Sequence, residues 1–157
     1  MSRIAFLSLF IVILFSLSCS LYPGSSANSV AGGSEKDGFR GMKWGTPLQE
    51  MESELTFVGR DEGKELEWYR KGNDDLSLGG AALESIHYVF YQGMFKKVAM
   101  VARGPDNYRL LRQHFVASFG ETTESTDRSS TWKLDKSIVM FAYNPASEVS
   151  LLILQEN

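Results

Sequence analysis

The stretch LESIHYVFYQGMFKKVAMVA, residues 83–102, decides the fold. Two runs rich in apolar and aromatic side chains, 83–91 and 94–102, flank the dipeptide Gln92-Gly93. A two-residue connection with a glycine, which tolerates positive φ, is typical of a tight turn between paired strands. The stretch therefore predicts an antiparallel β-hairpin.

Counting outward from the turn predicts which hairpin residues face each other. The expected pairs on one face are Phe90–Phe95, Tyr88–Lys97 and Ile86–Ala99, and on the other face Val89, His87 and Ser85 pair with Lys96, Val98 and Met100. Because neither face is wholly polar, both are expected to be at least half covered.

A helix and three strands are predicted after the hairpin. Gly104-Pro105-Asp106 starts the helix with an early proline and an acid near its positive end, and Gly120 ends it. Its apolar stripe consists of Tyr108, Leu111, Phe115 and Phe119. The strands follow at residues 130–134, 138–143 and 149–154, and the last is apolar enough to be central.

Another helix and two strands are predicted before the hairpin. Thr46 is expected to cap this first helix, Pro47 suits its first position, and Gln49 completes a capping box. Its apolar face consists of Leu48, Met51 and Leu55, and the strands follow at 57–60 and 65–70.

This order of elements predicts an α+β fold for residues 39–157. The expected sheet is antiparallel, with about six to seven strands and two helices. Because each predicted helix precedes three or four strands, the order also indicates a weak α-β-β-β duplication.

The first eighteen residues predict a signal peptide. Arg3 is followed by an apolar run from Ile4 to Leu17, which is shorter than the roughly 20 residues of a membrane-spanning helix. Residues 19–38 are rich in serine and glycine and predict a flexible tether. We therefore expect an exported chain.

The segment Phe15-Ser16-Leu17-Ser18-Cys19 resembles the lipobox of bacterial lipoproteins. The resemblance implies that Cys19 becomes the first mature residue and carries a lipid. Lipidation would also consume the only thiol, which is otherwise exposed in an oxidising compartment. Secretion with cleavage after Ala27 and retention of the leader as an anchor stay open. Ser20, where an aspartate holds such proteins at the inner membrane of enteric bacteria, favours the outer membrane.

Composition excludes several classes of protein. Apolar residues make up 43% of the chain and charged residues 22%, as in ordinary folded domains. The net charge of −3 provides no positive field for nucleic acid, and one cysteine excludes a disulfide framework. We expect no nucleic-acid partner and no cofactor.

The candidate reactive residues each have a simpler structural interpretation. We interpret His87 as a packed or edge histidine in a strand and His114 as a solvent-side residue of the helix. Asn73-Asp74-Asp75 lacks the spaced ligands of a calcium loop and is interpreted as a solvated turn. Gly79-Gly80 is interpreted as a backbone turn, because no phosphate-loop lysine follows it.

The charged clusters are likewise interpreted as surface features. Arg109, with Arg103 and Arg112, could face an anion, but Asp106 three residues earlier favours a helix-surface ion pair. The carboxylates expected to form an acidic surface are Glu52, Glu54, Asp61 and Glu62. No catalytic or metal-binding residue is therefore predicted.

Most aromatic side chains are expected in the core, and any left over would form an interaction surface. The aromatic residues considered are Trp44, Trp68, Tyr69, Tyr88, Phe90, Tyr91, Phe95 and Trp132.

The pattern FRGMKWGT at residues 39–46, then Tyr88-Val89-Phe90, Gly93 and Phe119-Gly120, resembles a family of uncharacterised small bacterial envelope lipoproteins. That family has no assigned reaction, so the resemblance implies no catalytic residue. The element order is more distantly similar to barrel-assembly-type small outer-membrane lipoproteins and to β-lactamase-inhibitor-like domains.

The sequence therefore favours a lipid-anchored, non-catalytic binding module of the bacterial cell envelope. Its expected partners are the membrane, through the anchor, and an envelope protein. The alternatives are a small periplasmic hydrolase or ligand-processing enzyme and a secreted inhibitor-like domain with an exposed aromatic-rich sheet.

Overall fold

An antiparallel sheet of eight strands dominates the fold. The computed structural model describes residues 36–157, so the predicted signal peptide at 1–18, Cys19 and nearly all of the predicted tether lie outside the described residues. The strands are β1 (Gly38–Phe39), β2 (Met42–Lys43), β3 (Leu55–Asp61), β4 (Leu66–Lys71), β5 (Ser77–Leu78), β6 (Ala81–Ala82), β7 (Ser85–Tyr91), β8 (Met94–Arg103), β9 (Glu124–Ser125), β10 (Ser129–Lys133), β11 (Ser137–Asn144) and β12 (Val149–Glu156).

The order across the large sheet is β3-β4-β7-β8-β12-β11-β10-β9. All seven predicted strands belong to it, and β12 is central, as its apolar sequence predicts. The sequence missed the two-residue strand β9 and two short pairs, β1–β2 and β5–β6. Strands this short carry too few residues to show a period.

One α-helix, α1 (Pro105–Phe119), occurs in the described residues, where the sequence predicts two. It starts and ends where its proline and glycine signals predict, and Gly120 has a φ of 82°.

The predicted first helix is wrong. Only a 3₁₀ turn, Leu48–Glu50, forms there. The hydroxyl of Thr46 donates to the carbonyl of Lys43 (2.8 Å) instead of capping a helix. The N–H of Leu48 donates to the carbonyl of Gly93 (2.8 Å), and the N–H of Phe95 donates to the carbonyl of Thr46 (2.9 Å). The β7–β8 hairpin thus holds this segment in an extended path.

The β7–β8 hairpin forms as predicted, but its register is predicted correctly only near the turn. Phe90 faces Phe95, whereas Val89 faces Lys97, so Lys96 is the extra residue of a β-bulge. The bulge reverses the alternation of β8 and places Phe95, Val98 and Met100 all in the core. Without it, lysine would point into the core. The adjacent Lys96-Lys97 between Phe95 and Val98 is the signal in the sequence.

The core lies against one face of the sheet. The helix α1 supplies Leu111 and Phe115, the N-terminal segment supplies Phe39, and the β5–β6 hairpin supplies Leu78 and Ala81. Every covering element described here therefore packs on the same side.

A row of aromatic rings crosses this core face. Phe57 contacts Tyr69 with ring centres 5.5 Å apart, Tyr69 contacts Phe90 at 5.3 Å, and Phe90 contacts Phe95 at 5.6 Å. Trp44 ends the row, 5.0 Å from Phe95. Cross-strand contacts of this kind stabilise a sheet beyond its backbone hydrogen bonds.

Candidate interaction face

The face of the sheet opposite the core is apolar at its centre, and nothing within residues 36–157 packs over it as a layer. We call it the open face and define it by its central row, His87, Ala99, Ile153, Met140 and Thr131. These residues stand side by side on β7, β8, β12, β11 and β10.

The open face is partly exposed. Leu151 beside the central row exposes 43% of its surface. Val89 is buried although it does not belong to the core cluster, because it lies between Trp68 and Lys97 of the adjacent strands. The face therefore combines a fixed apolar floor with accessible aliphatic side chains, a combination typical of interaction surfaces.

A shallow depression lies over the second half of the open face. Its lining includes the apolar side chains of Met140, Ala142, Leu151 and Ile153 and the hydroxyl-bearing Thr131.

One end of the central row is cationic. Nε of Arg70 donates a 3.0 Å hydrogen bond to Nε2 of His87, and the ring of Trp68 meets His87 edge to face at 6.1 Å. Burial, and secondly the charge of Arg70, lowers the pKa of His87 below its usual value. His87 is therefore neutral at pH 7, with its proton on Nδ1.

The cations at this end have no carboxylate partner in the part of the chain that the structure describes. Among residues 36–157, the side chain of Arg70 bonds only the neutral ring of His87, and Lys97 in the next row forms no ion pair. The sequence missed this cluster because Arg70 and His87 meet only through the β4–β7 pairing.

A partly buried ion pair lies on the core side, where the sequence predicts a solvated turn. The side chain of Asp74 is 8% exposed and accepts hydrogen bonds from Nη1 of Arg40 (2.5 Å) and from the hydroxyl of Tyr88 (2.8 Å). Arg40 also donates to the carbonyl of Ser77 (2.6 Å). The prediction for Asp74 is wrong because Arg40 lies 34 positions away in the sequence.

The FRGMKWGT segment, residues 39–46, packs across the core face and bonds to β8 and β11, and we call it the clasp. Phe39 is fully buried, and Nε1 of Trp44 donates to Oγ of Ser137 (2.9 Å). The N–H of Gly45, whose φ is 77°, donates to the carbonyl of Phe95 (2.8 Å). Residues 39–46 thus contribute to the packing of the core face.

The prediction for Gly79-Gly80 is confirmed, whereas the prediction for His114 is wrong. Gly79-Gly80 forms the predicted turn, with positive φ at both glycines. His114 is half-buried rather than on the solvent side, because it packs against Gly79. The contact is so close that a Cβ atom added to Gly79 would lie 2.4 Å from the Cβ of His114.

The predicted ion pair between Arg109 and Asp106 on the surface of α1 is confirmed. Nη2 of Arg109 lies 2.8 Å from Oδ1 of Asp106, and Arg103 instead pairs with Glu84 at 2.7 Å. Of the predicted acidic surface, Glu54 pairs with Lys71 at 2.6 Å.

Most of the aromatic residues lie in the core, as predicted. Those buried are Tyr69, Tyr88, Phe90, Phe95 and Trp132. Trp44 packs against the core, Trp68 lies half-buried on the open face, and Tyr91 is exposed.

Within residues 36–157, no group of three or more His, Cys, Asp or Glu side chains could hold a metal ion. No helix in this range has the length and apolar character to cross a bilayer. Comparisons with protein-family models, curated proteins and solved structures found no match.

Proposed function

We propose that this chain is a lipid-anchored, non-catalytic binding module of the bacterial cell envelope, and that its open face binds another envelope protein. The observation that supports this most directly is the apolar centre of the open face, where Leu151 is exposed and Met140 and Ile153 are partly exposed. Patches of this kind on soluble domains are typical of protein interaction sites.

The leader and Cys19 support the location. An apolar leader takes the chain across the inner membrane, and a lipid on Cys19 then holds the domain near the outer membrane. The serine- and glycine-rich tether gives the open face freedom to reach a partner.

The enzyme alternative gains no support at His87. Its described contacts are the guanidinium of Arg70 and the ring of Trp68. A general base of the serine-hydrolase kind needs a carboxylate partner and a nucleophile instead. The inhibitor-like alternative predicts aromatic residues on an exposed face, whereas the aromatic row of this protein lies on the core side.

We also propose that the fold contains two related halves. Strands β3-β4-β7-β8 and β12-β11-β10-β9 each form a four-stranded meander, and the last strand of each half pairs with the other at the centre. The 3₁₀ turn before β3 occupies the place that α1 holds before β9. A structure of a shorter homologue with one half paired to a second copy would support this proposal, and unrelated halves across homologues would refute it.

Site-specific photo-cross-linking tests the binding function. Leu151 is replaced by p-benzoylphenylalanine in the full chain, and cells are irradiated with their envelopes intact. We expect one protein adduct of fixed mass, which disappears when Ile153→Glu is added. A charge there opposes burial of the aliphatic centre.

Leu76 provides the matched control, because it is 46% exposed and directly precedes the β5–β6 hairpin, which packs on the core side. The same photoreactive residue at Leu76 should not give that adduct. Equal adducts from both positions, or none from Leu151, would refute binding through the open face.

A further inference from the structure

We propose that the open face also binds a single-chain anionic amphiphile, with its carboxylate at Arg70 and His87 and its acyl chain along the central row toward Met140. This ligand goes beyond the protein partner. It rests on the proposed function in one respect, namely that the open face is a binding surface.

Some cations of the open face are paired with carboxylates and others are not, and the unpaired cations favour an anionic head group. Arg103 pairs with Glu84, and Lys133 pairs with Glu124. Arg70 and Lys97 have no carboxylate partner among the described residues. A carboxylate placed beside Arg70 would supply the missing negative charge.

The hydrogen bond between Arg70 and His87 uses only one of the guanidinium nitrogens, so Arg70 can also bind a carboxylate. Nε of Arg70 donates to His87, and the outer nitrogens of the guanidinium have no hydrogen-bond partner among residues 36–157, so they can donate to an anion. An imidazolium could not accept this hydrogen bond, so His87 stays neutral beside the anion, and the N–H at its Nδ1 is the donor that it can offer.

The apolar part of the ligand follows the central row away from this cationic end. Ala99, Ile153 and Met140 succeed His87 on consecutive strands of the sheet. Three inter-strand steps of about 4.8 Å give a track of about 14 Å. The depression over Ala142 lies beside the far end of this track. The track therefore suits an acyl chain of medium length, such as dodecanoate.

The same arrangement predicts selectivity among amphiphiles. Dodecanoate should bind more tightly than dodecanol, which lacks the charge, and dodecyltrimethylammonium should not bind because Arg70 and Lys97 repel it. Affinity should rise with chain length by up to roughly fourfold per methylene, the limit set by complete burial.

Photoaffinity labelling with a dodecanoate analogue that carries a diazirine near its tail tests the proposal. The full-length chain is purified from its own membranes and reconstituted in nanodiscs of zwitterionic lipid. Mass spectrometry of the digested protein then locates the label. We expect the label on β11 and β12, near Met140 and Leu151, and competition by unlabelled dodecanoate.

Two arginine variants provide the matched comparison. Arg70→Gln should weaken labelling roughly tenfold, since a charge-assisted hydrogen bond is lost. Arg109→Gln removes an exposed arginine from α1 and should leave labelling unchanged. If Arg70→Gln fails to fold, the wild-type ratio of dodecanoate to dodecanol labelling decides the matter, because the proposal requires a preference for the acid.

Equal labelling of wild type and a folded Arg70→Gln, equal labelling by the alcohol, or label confined to the core side would each overturn the amphiphile proposal. If dodecanoate fails but the Leu151 cross-link persists, this inference is wrong and the protein-binding function stands. If dodecanoate labels the face but Leu151 gives no protein adduct, the inference stands and the protein partner is refuted.

Discussion

Nε1 of Trp44 donates a 2.9 Å hydrogen bond to Oγ of Ser137, a residue 93 positions further along the chain. The same Ser137 hydroxyl donates to the carbonyl of Lys36 (2.5 Å), and Ser137 is fully buried. One hydroxyl therefore joins the start of the described chain to β11.

Replacing this hydroxyl tests the clasp. Ser137→Ala leaves the indole N–H of Trp44 and the carbonyl of Lys36 without this partner. We expect a loss of about 1–3 kcal/mol in the free energy of unfolding, the usual cost of unsatisfied buried polar groups. Urea unfolding followed by tryptophan fluorescence measures it. Ser53→Ala, at an exposed serine, should be neutral, and equal stability of the two variants would contradict a role for the clasp.

The buried hydroxyl of Tyr88 predicts a loss of stability at high pH. Burial, together with the hydrogen bond to Asp74, raises the pKa of Tyr88 well above its usual value of 10.0. The unfolded chain then loses this proton more readily than the folded chain. The contribution of Tyr88 is therefore complete below about pH 10 and falls by about 1.4 kcal/mol per pH unit above it.

Unfolding free energies measured from pH 8 to about pH 11 check this, with the range set by the tyrosine pKa. Tyr88→Phe should show a shallower decline above pH 10 than the wild type. Tyr91→Phe, an exposed tyrosine on the same strand, serves as the control. Parallel declines for all three proteins would show that folding does not raise the pKa of Tyr88.

The bulge at Lys96 predicts an unusual tolerance of deletion. Removing Lys96 places Lys97 directly after Phe95 and keeps Val98 and Met100 on the core side, so the strand becomes regular. The cost should be small, limited to the bulge and the ion pair with Glu156. Deleting Ala99 instead turns every later residue of β8 to the wrong face and should prevent folding. Circular dichroism and urea unfolding distinguish the two, and equal effects would refute the register.

The proposed anchor predicts the behaviour of a cysteine variant. Cys19→Ser removes the only thiol of the chain and with it the proposed site of lipid attachment. We expect the variant to leave the membrane fraction or to keep an uncleaved leader. Intact mass spectrometry of wild-type material should show lipid on a chain that starts at Cys19. A wild-type chain that retains Met1 in the aqueous fraction would contradict export.

Local signals explain what the sequence predicts correctly. The turn at Gln92-Gly93 and the glycines that bound α1 act within a few residues, so the hairpin and the helix follow from them. The helix predicted at Thr46 fails because its backbone groups are taken by Gly93 and Phe95, which are distant in sequence. The capping residues favour a helix only locally, and the hydrogen bonds from this segment to the β7–β8 hairpin stabilise the extended backbone instead.

The candidate face depends on pairing that no short pattern contains. Arg70 meets His87 because β4 pairs with β7 across the intervening loop and the β5–β6 hairpin. The identity of each residue is visible in the sequence, but the register that joins them is not. For the same reason the partner of Asp74 could not be predicted.

The contacts of Lys36 and Asp37 also determine how the domain would carry a mechanical load. Ser137 holds the carbonyl of Lys36, and Nζ of Lys136 lies 3.2 Å from Oδ1 of Asp37. Tension transmitted along the preceding chain therefore enters at the β10–β11 turn, beside the C-terminal residue Asn157, whose N–H bonds Lys136.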